Sequence, residues 1–156
     1  MFSASSFVVD TNVWVDFFLR VSPHYEKICS FFELVSKRGG TLAYAPTTLK
    51  DVFFIIPSRL RREAHGDEQA VSFTPVAWAC MRMMTEIAVA APQSLAECER
   101  AWMLRNTHDD LEDNLVIAAA ETCNADYVVT YDKQMLERFA PACITPERAL
   151  ELLSIV

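Results

Sequence analysis

Short apolar runs recur along the chain: Phe7-Val8-Val9, Thr41 to Ala45, Ala88 to Ala91, Tyr127-Val128-Val129-Thr130 and Ala142-Cys143-Ile144. Each is too short for a helix, and the richest of them are β-branched, so they read as buried strands. Between them the apolar residues fall at helical spacing. Val13 to Leu19 follows the first run, and Tyr25, Ile28, Cys29, Phe32, Leu34 and Val35 give a helix over His24 to Lys37 that Arg38-Gly39-Gly40 stops. Pro46-Thr47-Thr48 opens a helix through Leu49, Val52, Phe53, Ile55 and Ile56, which Pro57 is expected to kink or end. Thr74-Pro75 reads as an N-cap and first helical residue, with Val76, Ala79, Cys80, Met83, Met84 and Ile87 on one face and the methionines as core filling. Ser94-x-x-Glu97 has the form of a capping box for a helix through Leu104. An acidic start at Asp110 and Asp113 leads into Leu115, Val116, Ala119 and Ala120, and Thr145-Pro146 begins the last helix.

Strands alternating with helices imply a mostly parallel sheet of about five strands covered on both faces, a three-layer α/β/α domain. Residues 1–156 are enough for one good core and hardly two, so a single domain is expected, without repeats or linkers. Right-handed crossovers place the carboxyl ends of the strands on one rim, where open α/β sheets bind their ligands. Asp10 ends the first run and Asp132 stands just past the Tyr127 run. If those two strands are neighbours at the switch point, Asp10, Asp51, Asp113 and Asp132 converge, with Asp110 on the same helix start.

Composition removes some alternatives. No apolar run approaches the roughly 20 residues of a membrane span, and the first twenty residues carry Asp10 and Asp16 without a basic segment, unlike a signal peptide. Five cysteines without a C-x-x-C pair suggest neither a zinc site nor a disulfide framework; they read as reduced core residues of a cytoplasmic protein. A net charge of −7 argues against a polyanionic partner, unless several acids surround divalent cations. Arg59, Arg61 and Arg62 form the only basic cluster, either a solvated helix end or a phosphate contact, and His65-Gly66-Asp67-Glu68-Gln69 reads as a mobile polar loop.

Each acid also has a plain reading. Asp10, Asn12 and Asp110 suit turns and helix caps, and Asp51 could lie on the polar face of its helix. Convergence changes that picture, because several carboxylates within a few ångströms raise one another's pKa unless a cation is present. Oxygen ligands without His or Cys select Mg²⁺ or Mn²⁺, and such a site is equipped for phosphodiester hydrolysis. Thr11 and Asn12 can orient a neighbouring carboxylate. His108 could be a ligand or a base, but no second histidine stands nearby.

The segments FVVDTNVWVD, PTTLKDVFFI with Asp51, DLEDNLVIAAA, ADYVVTYDKQML and ITPERAL together resemble a PIN domain of the kind found in VapC-type toxins of bacterial toxin–antitoxin pairs. The resemblance spans essentially the whole chain and is weakest between Pro57 and Arg105. It implies a Mg²⁺-dependent ribonuclease acting on RNA, often a homodimer, inhibited in toxin members by an antitoxin that covers the site. By match, Asp10, Asp113 and Asp132 take the places of metal-binding acids, Asn12 and Thr130 those of supporting polar residues, and Asp110 that of an acid found in one subgroup. Asp51 departs from the pattern, since many members carry the longer Glu there.

A haloacid-dehalogenase-like phosphatase would need a second Asp where Asn12 stands, and a receiver-like domain lacks its paired acids and lysine. A catalytically silenced PIN-like module that binds RNA or protein is the remaining alternative; Asp51 and the acidity favour it, while Asp10, Asp113 and Asp132 oppose it.

Overall fold

The computed structural model describes residues 5–20, 22–66 and 71–155. Five strands, β1 (Ser6–Val9), β2 (Thr41–Tyr44), β3 (Val89–Ala90), β4 (Tyr127–Val129) and β5 (Cys143–Ile144), form one sheet in the order β3-β2-β1-β4-β5. All pairings are parallel, with Phe7 beside both Leu42 and Tyr127. The helices are α1 (Thr11–Leu19), α2 (Tyr25–Lys37), α3 (Pro46–Glu63), α4 (Thr74–Ile87), α5 (Leu95–Leu104), α6 (Leu111–Thr122), α7 (Lys133–Arg138) and α8 (Pro146–Ile155).

The two-residue period of the strands builds two cores. Phe7, Val9, Leu42, Tyr44, Val129 and Ile144 point to one face and pack with Trp14, Phe31, Ile56, Met84 and Leu153. Val8, Ala43, Val128 and Cys143 point to the other and meet Leu104, Val116, Ala119 and Met135. The three-layer α/β/α expectation therefore holds. The first core is rich in rings, with Trp14 5.0 Å from Phe32 and Phe7 edge-on to Phe31 at 5.2 Å.

Several local expectations are corrected. Pro57 does not end α3: the helix continues to Glu63, because Val52 and Ile56 before it and Leu60 after it are all held by the first core, which outweighs the missing hydrogen bond. Arg59, Arg61 and Arg62 consequently lie within α3 rather than after it. The cap position of α4 is Phe73, not Thr74, and no side chain caps that end. Its buried stripe is Ala77, Cys80 and Met84, whereas Val76, Met83 and Ile87 are exposed, so Met83 fills no core. All five cysteines are free, but Cys98 and Cys123 are exposed. The Ser94–Glu97 capping box forms as expected, and the Thr122 hydroxyl adds a bond of 2.8 Å to Glu97. Asp67, Glu68 and Gln69 of the expected mobile loop lie outside the described residues. Among the described residues no helix is long and apolar enough to cross a membrane.

Candidate active site

The switch point of the sheet lies between β1 and β4, which are adjacent and leave on opposite sides. A cleft of about 250 Å³ opens there, at the carboxyl ends of both strands. Its lining includes Asp10, Asn12, Asp16, Asp51, Glu112, Asp113 and Asp132, with Thr47 from the start of α3 and the guanidinium-bearing Arg59. Asn12, Thr47, Asp113 and Asp132 place the N-terminal ends of α1, α3, α6 and α7 around one space, so the positive ends of those helix dipoles face the acids.

Asp10 is almost fully buried and does two things at once. As N-cap of α1 its Oδ1 accepts from the Thr11 amide at 2.7 Å. Its Oδ2 accepts from Asn12 Nδ2 and from the Thr130 hydroxyl, each at 2.7 Å. Asn12 in turn accepts from the Tyr131 amide at 3.0 Å, tying α1 to the end of β4. Burial, with the nearby charges of Asp113 and Asp132, pushes the Asp10 carboxyl up to about 6, against the lowering effect of its hydrogen bonds. Asp113 is also raised, by burial first and by Asp110 and Asp132, while a bond to His108 works in the opposite direction. Even Cys143, on β5 behind the rim, is pushed up to about 12 by burial and by the same three acids, Asp10, Asp113 and Asp132. The cleft thus carries an excess of negative charge.

Asp132 caps α7, its Oδ1 accepting from the Met135 amide at 2.9 Å. Asp110 is an exposed cap of α6 whose Oδ1 accepts from the Glu112 and Asp113 amides, and it does not line the cleft. Asp51 reaches the cleft but pairs with Lys50 Nζ at 3.0 Å, and the same ammonium lies 3.6 Å from Glu112. Arg59 lines the mouth; Arg61 and Arg62 are exposed on the next turn and do not. Thr130 is buried beneath Asp10. His108, too, is buried, and its Nε2 lies 2.6 Å from Asp113 Oδ2 rather than in the cleft.

Sequence reading did not single out Asp16 or Glu112. Asp16 follows Asn12 by one helical turn, a spacing that puts both on one face of α1, and this signal was present. Glu112 sits beside Asp113 in the first turn of α6, where spacing alone does not say which acid turns inward.

The donor set suits a hard divalent cation: carboxylate oxygens, no cysteine or histidine among the lining residues, and Asp10 and Asp113 both raised, by burial first and then by neighbouring acids. As the side chains stand, no three acid, histidine or cysteine groups among the described residues are arranged to hold one ion.

The fold and rim define a parallel α/β domain with an acid-lined cleft at its switch point. Within that class the chain belongs to the PIN domain family, whose pattern matches residues 6–134. No curated protein sequence matches it. Among solved structures it is similar to VapC20 of Mycobacterium tuberculosis, described as a sarcin–ricin loop cleaving toxin. The likeness is in fold: TM-score 0.55 at 15% identity, covering 81% of this chain and 90% of that one.

Proposed function

We propose that this chain is an endoribonuclease that hydrolyses RNA phosphodiester bonds with Mg²⁺ or Mn²⁺ held at the cleft. The observation that carries the reading is the meeting of Asp10, Asp113 and Asp132 at one switch-point cleft, with Asp10 raised to about 6 by burial and by the other two acids. Membership of the PIN family and the VapC20-like fold support the same class. Asp10, Asp113 and Asp132 would hold the ion, with Asp51 contributing directly or through water. When bound, the ion polarises the phosphoryl group, eases deprotonation of the attacking water and steadies the leaving 3′ oxygen. The chain's own groups do the rest. Thr130 and Asn12 keep Asp10 ionised and aimed, and the converging helix N-termini favour a phosphate. Arg59 at the mouth would meet the RNA backbone, with Arg61 and Arg62 further out.

The same reading makes the chain the toxin of a VapBC-type pair in the cytoplasm, a homodimer whose antitoxin covers the cleft. A silenced binding module is the second reading, favoured by the ion pair that occupies Asp51. The deciding experiment is cleavage of a mixed structured and single-stranded RNA pool with Mg²⁺, with Mn²⁺ and with EDTA, beside Asp10→Asn. Metal-dependent cutting lost in the variant establishes the nuclease. Metal binding without cutting selects the silenced module.

A further inference from the structure

His108 stands in the turn between α5 and α6 and is only 2% exposed. Its ring has a polar partner on each nitrogen: Asp113 Oδ2 lies 2.6 Å from Nε2, and Arg138 Nη1 lies 3.2 Å from Nδ1. A guanidinium donates hydrogen bonds and has no lone pair to offer. Nδ1 must therefore be the acceptor, which leaves the ring hydrogen on Nε2 to be donated to Asp113. The surrounding contacts fix the ring in this pose. Arg138 Nη1 also donates to the Thr107 carbonyl at 3.3 Å, and Asn114 Nδ2 donates to the His108 carbonyl at 2.7 Å. Phe139 meets the ring edge-on at 5.8 Å.

We propose that Arg138 and His108 are positioning residues for the metal-binding carboxylate of Asp113: Arg138, donating to Nδ1, holds the His108 ring with its hydrogen on Nε2, which ties down Asp113 Oδ2 and leaves Oδ1 for the ion. The inference rests on the nuclease reading only in taking Asp113 as a ligand. A buried imidazole needs a partner on each nitrogen whatever its role; what points to positioning is that one partner is a carboxylate lining the cleft and the other comes from the helix that Asp132 caps. Here the chain spends an arginine from α7, the helix that Asp132 caps, on the far side of the ring. Two of the cleft's acids are thereby linked through the His108 ring by two contacts: Asp132 starts α7, Arg138 ends it and reaches Nδ1, and Nε2 meets Asp113.

The test uses metal-free and Mn²⁺-titrated full-length protein. Side-chain ¹⁵N NMR of wild type should show His108 as the Nε2–H tautomer, and Arg138→Met should relax it towards a mixture. By calorimetry, His108→Leu should weaken Mn²⁺ binding about 10–100-fold, the range seen when partners of metal ligands are removed. His108→Gln carries an amide N–H near the position of Nε2 and should recover most of that loss. An Nδ1–H tautomer in the wild type overturns the proposal, as does folded His108→Leu that binds Mn²⁺ like wild type. If His108→Leu does not fold, the wild-type spectrum together with Mn²⁺ binding by His108→Gln and Arg138→Met decides in the same way. RNA cutting by wild type separates the two readings. Cutting with unaltered metal affinity in folded His108→Leu refutes the positioning role alone. Absent cutting with the expected loss of affinity refutes the nuclease alone, and a wild type that binds no Mn²⁺ refutes both.

Discussion

The Thr130 hydroxyl donates to Asp10 Oδ2 at 2.7 Å across the ends of two neighbouring parallel strands. Thr130 Oγ1 itself accepts from Asn12 Nδ2 at 3.0 Å and from the Asp132 amide at 2.9 Å. One buried hydroxyl therefore holds two of the cleft's acids and the asparagine between them. Thr130→Val keeps the shape and removes all three bonds. It should cost about 1–3 kcal/mol of stability, the usual penalty for stranding buried polar partners, and should weaken Mn²⁺ binding. Thr130→Ser retains the hydroxyl and should stay close to wild type on both counts. Chemical denaturation and Mn²⁺ titration check the pair; a valine variant as stable as wild type would show the network to be dispensable.

Asp10 makes metal-free stability depend on pH in a defined window. Its carboxyl is raised from 3.8 to about 6 in the folded protein, chiefly by burial. Below pH 3.8 both states carry the proton. As pH rises towards 6 the unfolded chain releases it while the folded one keeps it, so stability falls, then levels off above 6. The total loss is about 3 kcal/mol, because each tenfold difference in proton affinity between the two states is worth roughly 1.4 kcal/mol. Denaturation of EDTA-treated protein between pH 4 and 7 should show this decline, and Asp10→Asn should flatten it. Added Mg²⁺ should stabilise the protein more at pH 7 than at pH 5, since the ion prefers the ionised acid.

Glu97 behaves in the opposite sense. Bonds from Ser94, then Thr122, hold its carboxyl down to about 2. Its contribution is present above the ordinary value of 4.5 and is lost as pH falls through about 2. Glu97→Gln should lower the melting temperature at neutral pH, with the difference from wild type closing as pH falls towards 2.

The sheet and the rim were legible because they depend on short-range signals that agree with one another. Apolar runs too short for helices ended in Asp10 and just before Asp132, and a parallel sheet has one place to put such residues. Registers of helix faces were less legible. Asp110 and Glu112 stand two residues apart, yet the first caps α6 from outside while the second lines the cleft. Which way that turn points is set by α5 and by His108 packed beneath it, contacts that no local pattern encodes. Pro57 departs from expectation for the same kind of reason: α3 is held by the core on both sides of it, so propensity yields to packing.

The arginines of α3 should not be equivalent. Arg59 lines the cleft, whereas Arg61 and Arg62 are exposed beyond it. Arg59→Ala should weaken RNA binding and reduce the slope of log affinity against log salt by about 0.7 for single strands, the share of one phosphate contact. Neutralising Arg61 and Arg62 together should change the slope less than Arg59 does alone. Equal effects would mean that the three act as a diffuse basic patch.

Lys50 occupies the place where a cation would relieve the outer acids. Its ammonium lies 3.0 Å from Asp51 and 3.6 Å from Glu112, at the edge of a cleft that holds more carboxylates than cations. An ion entering the cleft competes with that ammonium for Asp51. Lys50→Met removes the competitor and keeps the length of the side chain. Because that ammonium is exposed, the effect should be small, about two- to fivefold tighter Mn²⁺ binding. Asp51→Glu in the Lys50→Met background should tighten it further, because the added methylene carries the carboxylate deeper into the cleft. Calorimetric titration of wild type, the single and the double variant tests this directly. If neither variant binds more tightly, Asp51 lies outside the ion's reach and its pairing with Lys50 is purely structural. If both do, the lysine limits metal loading and the shorter Asp51 carboxylate stands back from the ion.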